Sequence, residues 1–176
     1  MLESLITSKT RIRLLMKFFL NSNQTAYLRG LSSEFGESTN AIRLELNRFE
    51  KAGLIKSSHE GNKKLFKANV MYPLYKDIHN ILMKHTGIDK IINDVVKKLG
   101  NVARAWLIGD MATGHDSHTI EIVLIGENID ADYLKNLKGK AEKIIKKIIK
   151  TNIISPAEEK KYFETESPSL LIWEKL

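Results

Sequence analysis

Apolar residues in the first half of the chain recur at helical spacing in short segments. Over residues 10–21, Ile12, Leu15, Met16 and Phe19 fall at i, i+3, i+4 and i+7, with Arg11, Arg13 and Lys17 largely off that stripe. This predicts a core-facing helix ending near Asn21. After the polar break SNQT, Leu28, Leu31 and Phe35 predict a second, shorter helix with Thr25 as its N-cap and Gly36 as its stop. A third opens with Ser38 as N-cap, buries Ile42, Leu46 and Phe49, and ends at Gly53. The pattern then changes to strands, Leu54 to His59 and Lys64 to Ala68, around Glu60-Gly61-Asn62-Lys63, a tight turn in which Gly61 is free to take a positive φ. Pro73 suits the first position of a further helix, with Leu74, Ile78, Ile81, Leu82 and His85 on one stripe.

From Ile88 the pattern gives a helix, IDKIINDVVKKLG, and two strands, VARAWLIG and TIEIVLIG, separated by a loop. A long helix follows from Asp132 to Lys150, with Leu134, Leu137, Ala141, Ile144, Ile145 and Ile148 as its apolar stripe and its lysines as a solvated outer face. The short strand TNIIS, a helical turn opening at Ser155-Pro156 and a terminal segment SLLIW, read as a last strand or packing segment, complete the pattern.

Charge changes the picture because it is uneven. Residues 1–87 hold 14 Lys+Arg against 7 Asp+Glu, and residues 88–176 hold 14 against 14, so the whole formal excess of +7 lies in the first half. A basic half joined to a neutral one matches the electrostatic footprint of a polyanion partner. The absence of cysteine excludes disulfides, thiol catalysis and Cys-ligated zinc. No apolar run approaches the roughly 20 residues of a membrane span, and the opening MLESLITSKT lacks a signal peptide's order, so a cytoplasmic protein without membrane attachment is expected.

The segment STNAIRLELNRFEKAGLIKS followed by EGNKKLFKAN resembles the recognition helix and wing of ArsR/MarR-type winged-helix transcriptional regulators, over about residues 8–70. With Ile42, Leu46 and Phe49 buried, Ser38, Thr39, Asn40, Arg43 and Asn47 remain to face DNA. Arg pairs bidentately with guanine and Asn with adenine in the major groove, and a helix N-terminus accepts a phosphate. Asn62, Lys63 and Lys64 at the turn, with Arg48 and Lys51, are the expected backbone contacts. Binding of two half-sites requires a two-fold dimer, for which the stripe on the Pro73 helix is the expected seam, with Leu2, Leu5 and Ile6 as added apolar cover. A winged helix used for protein contacts is the alternative.

In the second half, Leu107-Ile108-Gly109-Asp110-Met111-Ala112-Thr113-Gly114, followed by Ser117 and Thr119-Ile120-Glu121-Ile122, resembles the minimal nucleotidyltransferase signature, over about residues 88–165. In that family a Gly-Ser turn presents N–H groups and a hydroxyl to phosphates. Carboxylates two apart on a strand hold divalent metals, about 3.5–4 Å apart, that bridge the attacking and leaving oxygens. This chain keeps Gly109, Ala112, Gly114, Ser117 and Glu121. Asp110 stands for the Ser, Thr113 for the Arg, Thr119 or His118 for the first Asp, and Thr151 to Ile154 offer no third carboxylate. One ligand of three cannot hold two metals, so the resemblance implies the fold without the transferase activity. Gly109, Asp110, Thr113, Gly114, Ser117, Thr119 and Glu121 are then the candidate ligand cleft, with no catalytic residue. His115 and His118, with Asp110 or Asp116, have ligand-type spacing, but loops commonly carry such residues and no metal is expected.

The expectation is therefore an α+β two-domain chain: a winged helix-turn-helix DNA-binding domain with its linker or dimer helix over 1–87, and a small α/β nucleotidyltransferase-like domain over 88–176. Its expected function is transcriptional regulation as a homodimer on double-stranded DNA. No cofactor is expected, and a nucleotide or sugar nucleotide is the effector class for the second domain. The alternatives are an active nucleotidyltransferase and a partner-binding module without sequence-specific DNA binding.

Overall fold

The computed structural model describes residues 2–165 and 168–175. The fold is mixed α/β with two sheets, and the chain divides into two compact units, Met1–Leu82 and Met83–Leu176.

In the first unit, α1 (Lys9–Leu15) is capped by Ser8, whose Oγ accepts from the Arg11 N–H at 3.2 Å, and continues as a π-helical turn over Met16–Leu20. All five residues of that turn are buried. Lys17 is among them, 8% exposed, where the sequence places it off the apolar stripe. Its ammonium donates to both oxygens of Glu34, at 3.0 and 2.9 Å, and burial is tolerated because the charge is paired. Thr25 is not a helix cap: it opens β1 (Thr25–Tyr27), and α2 (Leu28–Phe35) starts directly from Tyr27. Gly36 ends α2 at φ +64, a left-handed conformation that glycine adopts without steric cost.

Ser38 caps α3 (Thr39–Lys51), its Oγ accepting from the Ala41 N–H at 3.2 Å. Ile42, Leu46 and Phe49 are buried, each contributing about 1.5–3 kcal/mol by removal from water. β2 (Ile55–Glu60) and β3 (Lys63–Ala68) form a hairpin around Gly61-Asn62, with Gly61 at φ +57. The sheet order is β1-β3-β2, all antiparallel, so β3 is central and pairs Tyr27 with Leu65 as well as Ser57 with Phe66. Pro73 lies in a turn ahead of α4 (Tyr75–Thr86) rather than at its first position. Phe19 anchors the start of this helix through the Tyr75 ring at 5.6 Å and the His79 Nδ1 contact to its carbonyl at 2.8 Å.

In the second unit, α5 (Ile88–Ile91), a π-helical turn over Ile92–Val96 and α6 (Lys97–Leu99) run consecutively to Gly100 at φ +77. The four-stranded sheet has the order β6-β5-β4-β7. β4 (Val102–Ile108) leads through the short α7 (Gly109–Ala112) to β5 (Thr119–Gly126), its antiparallel neighbour. α8 (Ala131–Ile145) then crosses to β6 (Ile148–Ile154), which lies parallel to β5. The helix expected to reach Lys150 stops at Ile145 because Lys146 turns left-handed at φ +55. Ile148 therefore belongs to a strand rather than to the helical stripe, and Ile144 is exposed. The Glu142 carboxylate accepts from the Ile149 N–H at 2.7 Å and fixes this junction.

At Ser155 the backbone N–H and Oγ both donate to Glu158, at 3.0 and 2.7 Å, before α9 (Glu159–Thr165). β7 (Ser169–Glu174) closes the sheet against β4. Trp106, Ile154, Tyr162 and Phe163 pack against Ile108, Val123 and Ile125. The Glu159 carboxylate accepts from Arg104 and from Trp106 Nε1, the latter at 2.9 Å. The guanidinium bond, followed by the indole bond, holds the Glu159 carboxyl below its usual range against the opposing effect of burial.

Candidate nucleic-acid interface

The face of α3 opposite its core stripe carries Thr39, Asn40, Arg43 and Asn47, all exposed, as are Arg48 and Lys51. They are displayed because Ile42, Leu46 and Phe49 fix the rotation of the helix. Arg43 and Asn47 line an open cavity of about 720 Å³ together with Tyr27, Arg29, Asn62 and Lys63. The Lys63 ammonium sits 4.8 Å from the centre of the Tyr27 ring, a cation–π contact that leaves its charge at the surface.

Not all of the first unit's positive charge is available. Arg11 donates to both oxygens of Glu45 at 3.0 and 3.2 Å, and Arg48 donates to the same carboxylate at 2.8 Å. Arg13 bonds the Phe35 carbonyl at 2.7 Å and pairs with Glu37 at 3.5 Å. Lys64 is bound to Glu50 at 2.8 Å and lies 5.1 Å from the Phe66 ring centre, so it braces the hairpin against α3. Its hydrogen bond, with that of Ser57, lowers the Glu50 carboxyl from its ordinary value. Among the described residues Arg29, Arg43, Lys51, Lys56, Lys63 and Lys67 form no ion pair. The cations on the cavity and hairpin surfaces are therefore mainly the uncompensated ones.

Of the ten candidate DNA contacts, the structure gathers Arg43, Asn47, Asn62, Lys63 and Lys64 around one cavity. Ser38, Thr39 and Asn40 lie together at the α3 N-terminus, and Lys51 lies at its far end. Arg48 and Lys64 are drawn into ion pairs. Tyr27 and Arg29 were not singled out by pattern. Tyr27 ends β1, which pairs with β3, and Arg29 follows in the first turn of α2; both line the same cavity.

In the second unit, Gly109 takes φ +67 at the end of β4, and a Cβ there would stand 3.5 Å from the Glu121 carboxyl carbon. Glu121 faces Ile108 across the strand pair and lies 3.9 Å from Lys150 on β6. The Asp110 carbonyl accepts from Thr113 Oγ1 at 2.6 Å and the His115 N–H at 3.0 Å, and Gly114 follows at φ +80. Ser117 Oγ accepts from the Thr119 N–H at 3.2 Å, while Lys147 binds Asp116 and, at 2.9 Å, the Ser117 carbonyl. Glu121 and Gly109 are thus side by side, with Thr119 at the start of β5 and Ser117 in the connection that leads into it. Among the described residues no three His, Asp or Glu side chains are placed to share a metal ion.

No family model matches the chain. No curated protein matches it either. Several solved structures that resemble parts of it are transcriptional regulators or repressors. The transcriptional regulator BldR from Sulfolobus solfataricus is 14% identical, covering 56% of this chain and 72% of its own, with a TM-score of 0.37. The adhesin competence repressor AdcR from Streptococcus pyogenes is 18% identical over 56% of this chain and 72% of its own, with a TM-score of 0.39. A candidate nucleotidyltransferase from Sulfolobus solfataricus is 14% identical over 52% of this chain and 80% of its own, with a TM-score of 0.37. No helix among the described residues is long and apolar enough to cross a membrane.

Proposed function

We propose that the first unit is a winged helix that reads double-stranded DNA, with α3 in the major groove and the β2–β3 hairpin along the backbone, in a transcriptional regulator. The observation that carries this reading is the cavity between α3 and the hairpin. It presents an uncompensated Arg43 beside Asn47, flanked by Arg29 and Lys63, which is the chemistry of base-edge recognition framed by phosphate contacts. Ser38, Thr39 and Asn40 supply the helix N-terminus to a neighbouring phosphate, and Lys51 continues the basic surface, with Arg48 beside it offset by Glu45.

The regulator acts as a homodimer in this reading. Val70, Met71, Leu74 and Ile81 are 52%, 80%, 53% and 46% exposed on α4 and the segment before it, an apolar face with unused area. The second unit acts as a nucleotidyltransferase-like sensor or contact module. Its cleft, from Gly109 to Gly114 with Ser117, Thr119 and Glu121, takes a nucleotide or sugar nucleotide as effector. Glu121 is the one carboxylate on β5 and lies 3.9 Å from Lys150, which supports binding rather than two-metal transfer chemistry.

The test is fluorescence anisotropy on a duplex from upstream of the protein's own gene and on a scrambled duplex, over a salt series. Arg43→Ala is expected to cost about 1–3 kcal/mol on the upstream duplex and to relax the preference at one base position. Equal, weak binding of both duplexes by the wild type would overturn the reading.

A further inference from the structure

A second concave surface lies at the foot of the hairpin. In the β2–β3 ladder Lys56 and Lys67 are directly opposite each other, and Thr25 on β1 pairs with Lys67 in turn. Like charges facing across a strand pair repel. Among the described residues neither lysine has a carboxylate partner, and Glu50, on the adjoining helix, is already bound to Lys64 and Ser57. Both lysines line a cavity of about 390 Å³ together with Ser22, Asn23, Ala68, Asn69 and Val70.

The walls of this cavity are held in place. Asn69 donates to the Gly53 carbonyl at 2.8 Å and accepts from the Met71 N–H at 3.2 Å. The buried Asn21 accepts from the Asn23 N–H at 3.1 Å and fixes the opposite rim. Two lysines without carboxylate partners, opposite each other on the ladder and lining one cavity with a hydroxyl and two amide side chains, form a site whose repulsion is relieved by one multiply charged anion.

We propose that Lys56 and Lys67 clamp a phosphate group at the foot of the hairpin, with Ser22 and Asn23 as hydrogen-bonding partners. The phosphate belongs either to the DNA backbone, which extends the proposed interface beyond the α3 cavity, or to a free phosphorylated molecule. The DNA source rests on the function proposed above; the free-phosphate source does not.

The experiment compares wild type, Lys56→Ala/Lys67→Ala and, as a control for bare charge, Lys135→Ala in the other unit. One arm follows amide NMR shifts during titration with pyrophosphate in the absence of DNA. The other measures the salt dependence of anisotropy on a duplex. A backbone phosphate predicts that the double variant flattens the slope of log K against log salt by about 0.9 per phosphate lost, while Lys135→Ala leaves it unchanged. A free phosphate predicts shifts around Thr25, Lys56 and Lys67 that saturate in the wild type and vanish in the double variant. If no protein binds DNA, the function proposed above fails and the pyrophosphate arm alone decides the site. Double-variant behaviour matching Lys135→Ala wherever binding is measurable, without saturable wild-type shifts around the lysines, overturns the clamp.

Discussion

The carboxylate of Glu45 connects the exposed side of α3 to the helix beneath it, and Glu45→Gln tests that link while keeping side-chain volume. Arg11 holds it with two hydrogen bonds and Arg48 with one, at 3.0, 3.2 and 2.8 Å, and the Glu45 side chain is only 9% exposed. Breaking a fully buried ion pair costs about 3–5 kcal/mol, whereas exposed pairs contribute about 0–1 kcal/mol. Here Arg11 is 39% and Arg48 63% exposed, so solvent screening places the loss between these limits, at about 1–2 kcal/mol. For a unit of this size that lowers the melting temperature by on the order of 10 °C. The same change releases Arg48 from its carboxylate and is expected to steepen the DNA salt slope by up to about 0.9. Stability and non-specific DNA affinity therefore move in opposite directions. Thermal melts by circular dichroism and anisotropy over a salt series, with Glu127→Gln in the other unit as an exposed control, read both. A variant that melts and binds like the control would refute the idea that Glu45 restrains Arg48 and ties α1 to α3.

Lys63→Ala should weaken binding to all duplexes alike and flatten the salt slope by about 0.9, measured by anisotropy; Lys64→Ala should change it less, because Glu50 already offsets that charge. Because Glu159 titrates below its usual range, its contribution is complete above the unfolded carboxylate value and is lost as pH falls toward the lowered folded value. The melting difference between wild type and Glu159→Gln should thus be full at pH 7 and shrink below about pH 4, as followed by calorimetry. Leu74→Glu/Ile81→Lys should leave the fold intact and give a monomer in light scattering at micromolar concentration, with loss of tight operator binding.

Local chemistry made much of the first unit legible. The Ser38 cap, the Gly36 and Gly61 turns and the buried register of α3 each depend on residues within a few positions of one another. The three residues of β1 are too few to show a period, and they exist as a strand only through pairing with Thr25↔Lys67 and its neighbours. The partners of Arg11 and Lys17 are Glu45 and Glu34, 34 and 17 positions away, so no spacing rule identifies them. In the second unit IIKKIIKTNII suits a helix stripe and a strand equally. What decides is the left-handed turn at Lys146, a non-glycine residue whose conformation has no signature in composition. At the candidate cleft, spacing located Gly109 and Glu121, but not that Lys150 would stand beside that carboxylate.

The π-helical turn at Met16–Leu20 has a consequence for how this chain tolerates length change. Such a turn holds about one residue more than the α-helical equivalent, and here all five of its residues are buried, so it is covered on every side. Deleting one residue there would restore ordinary α-helical winding and leave the turns on either side close to their present phase, whereas the same deletion from the regular α1 would rotate the start of the helix by about 100°. Arg11 and Arg13 would therefore keep facing Glu45 and Glu37 after a deletion within Met16–Leu20. The spare residue is a slack position, at which the chain can lose one residue of length without losing the register of the helix that precedes it.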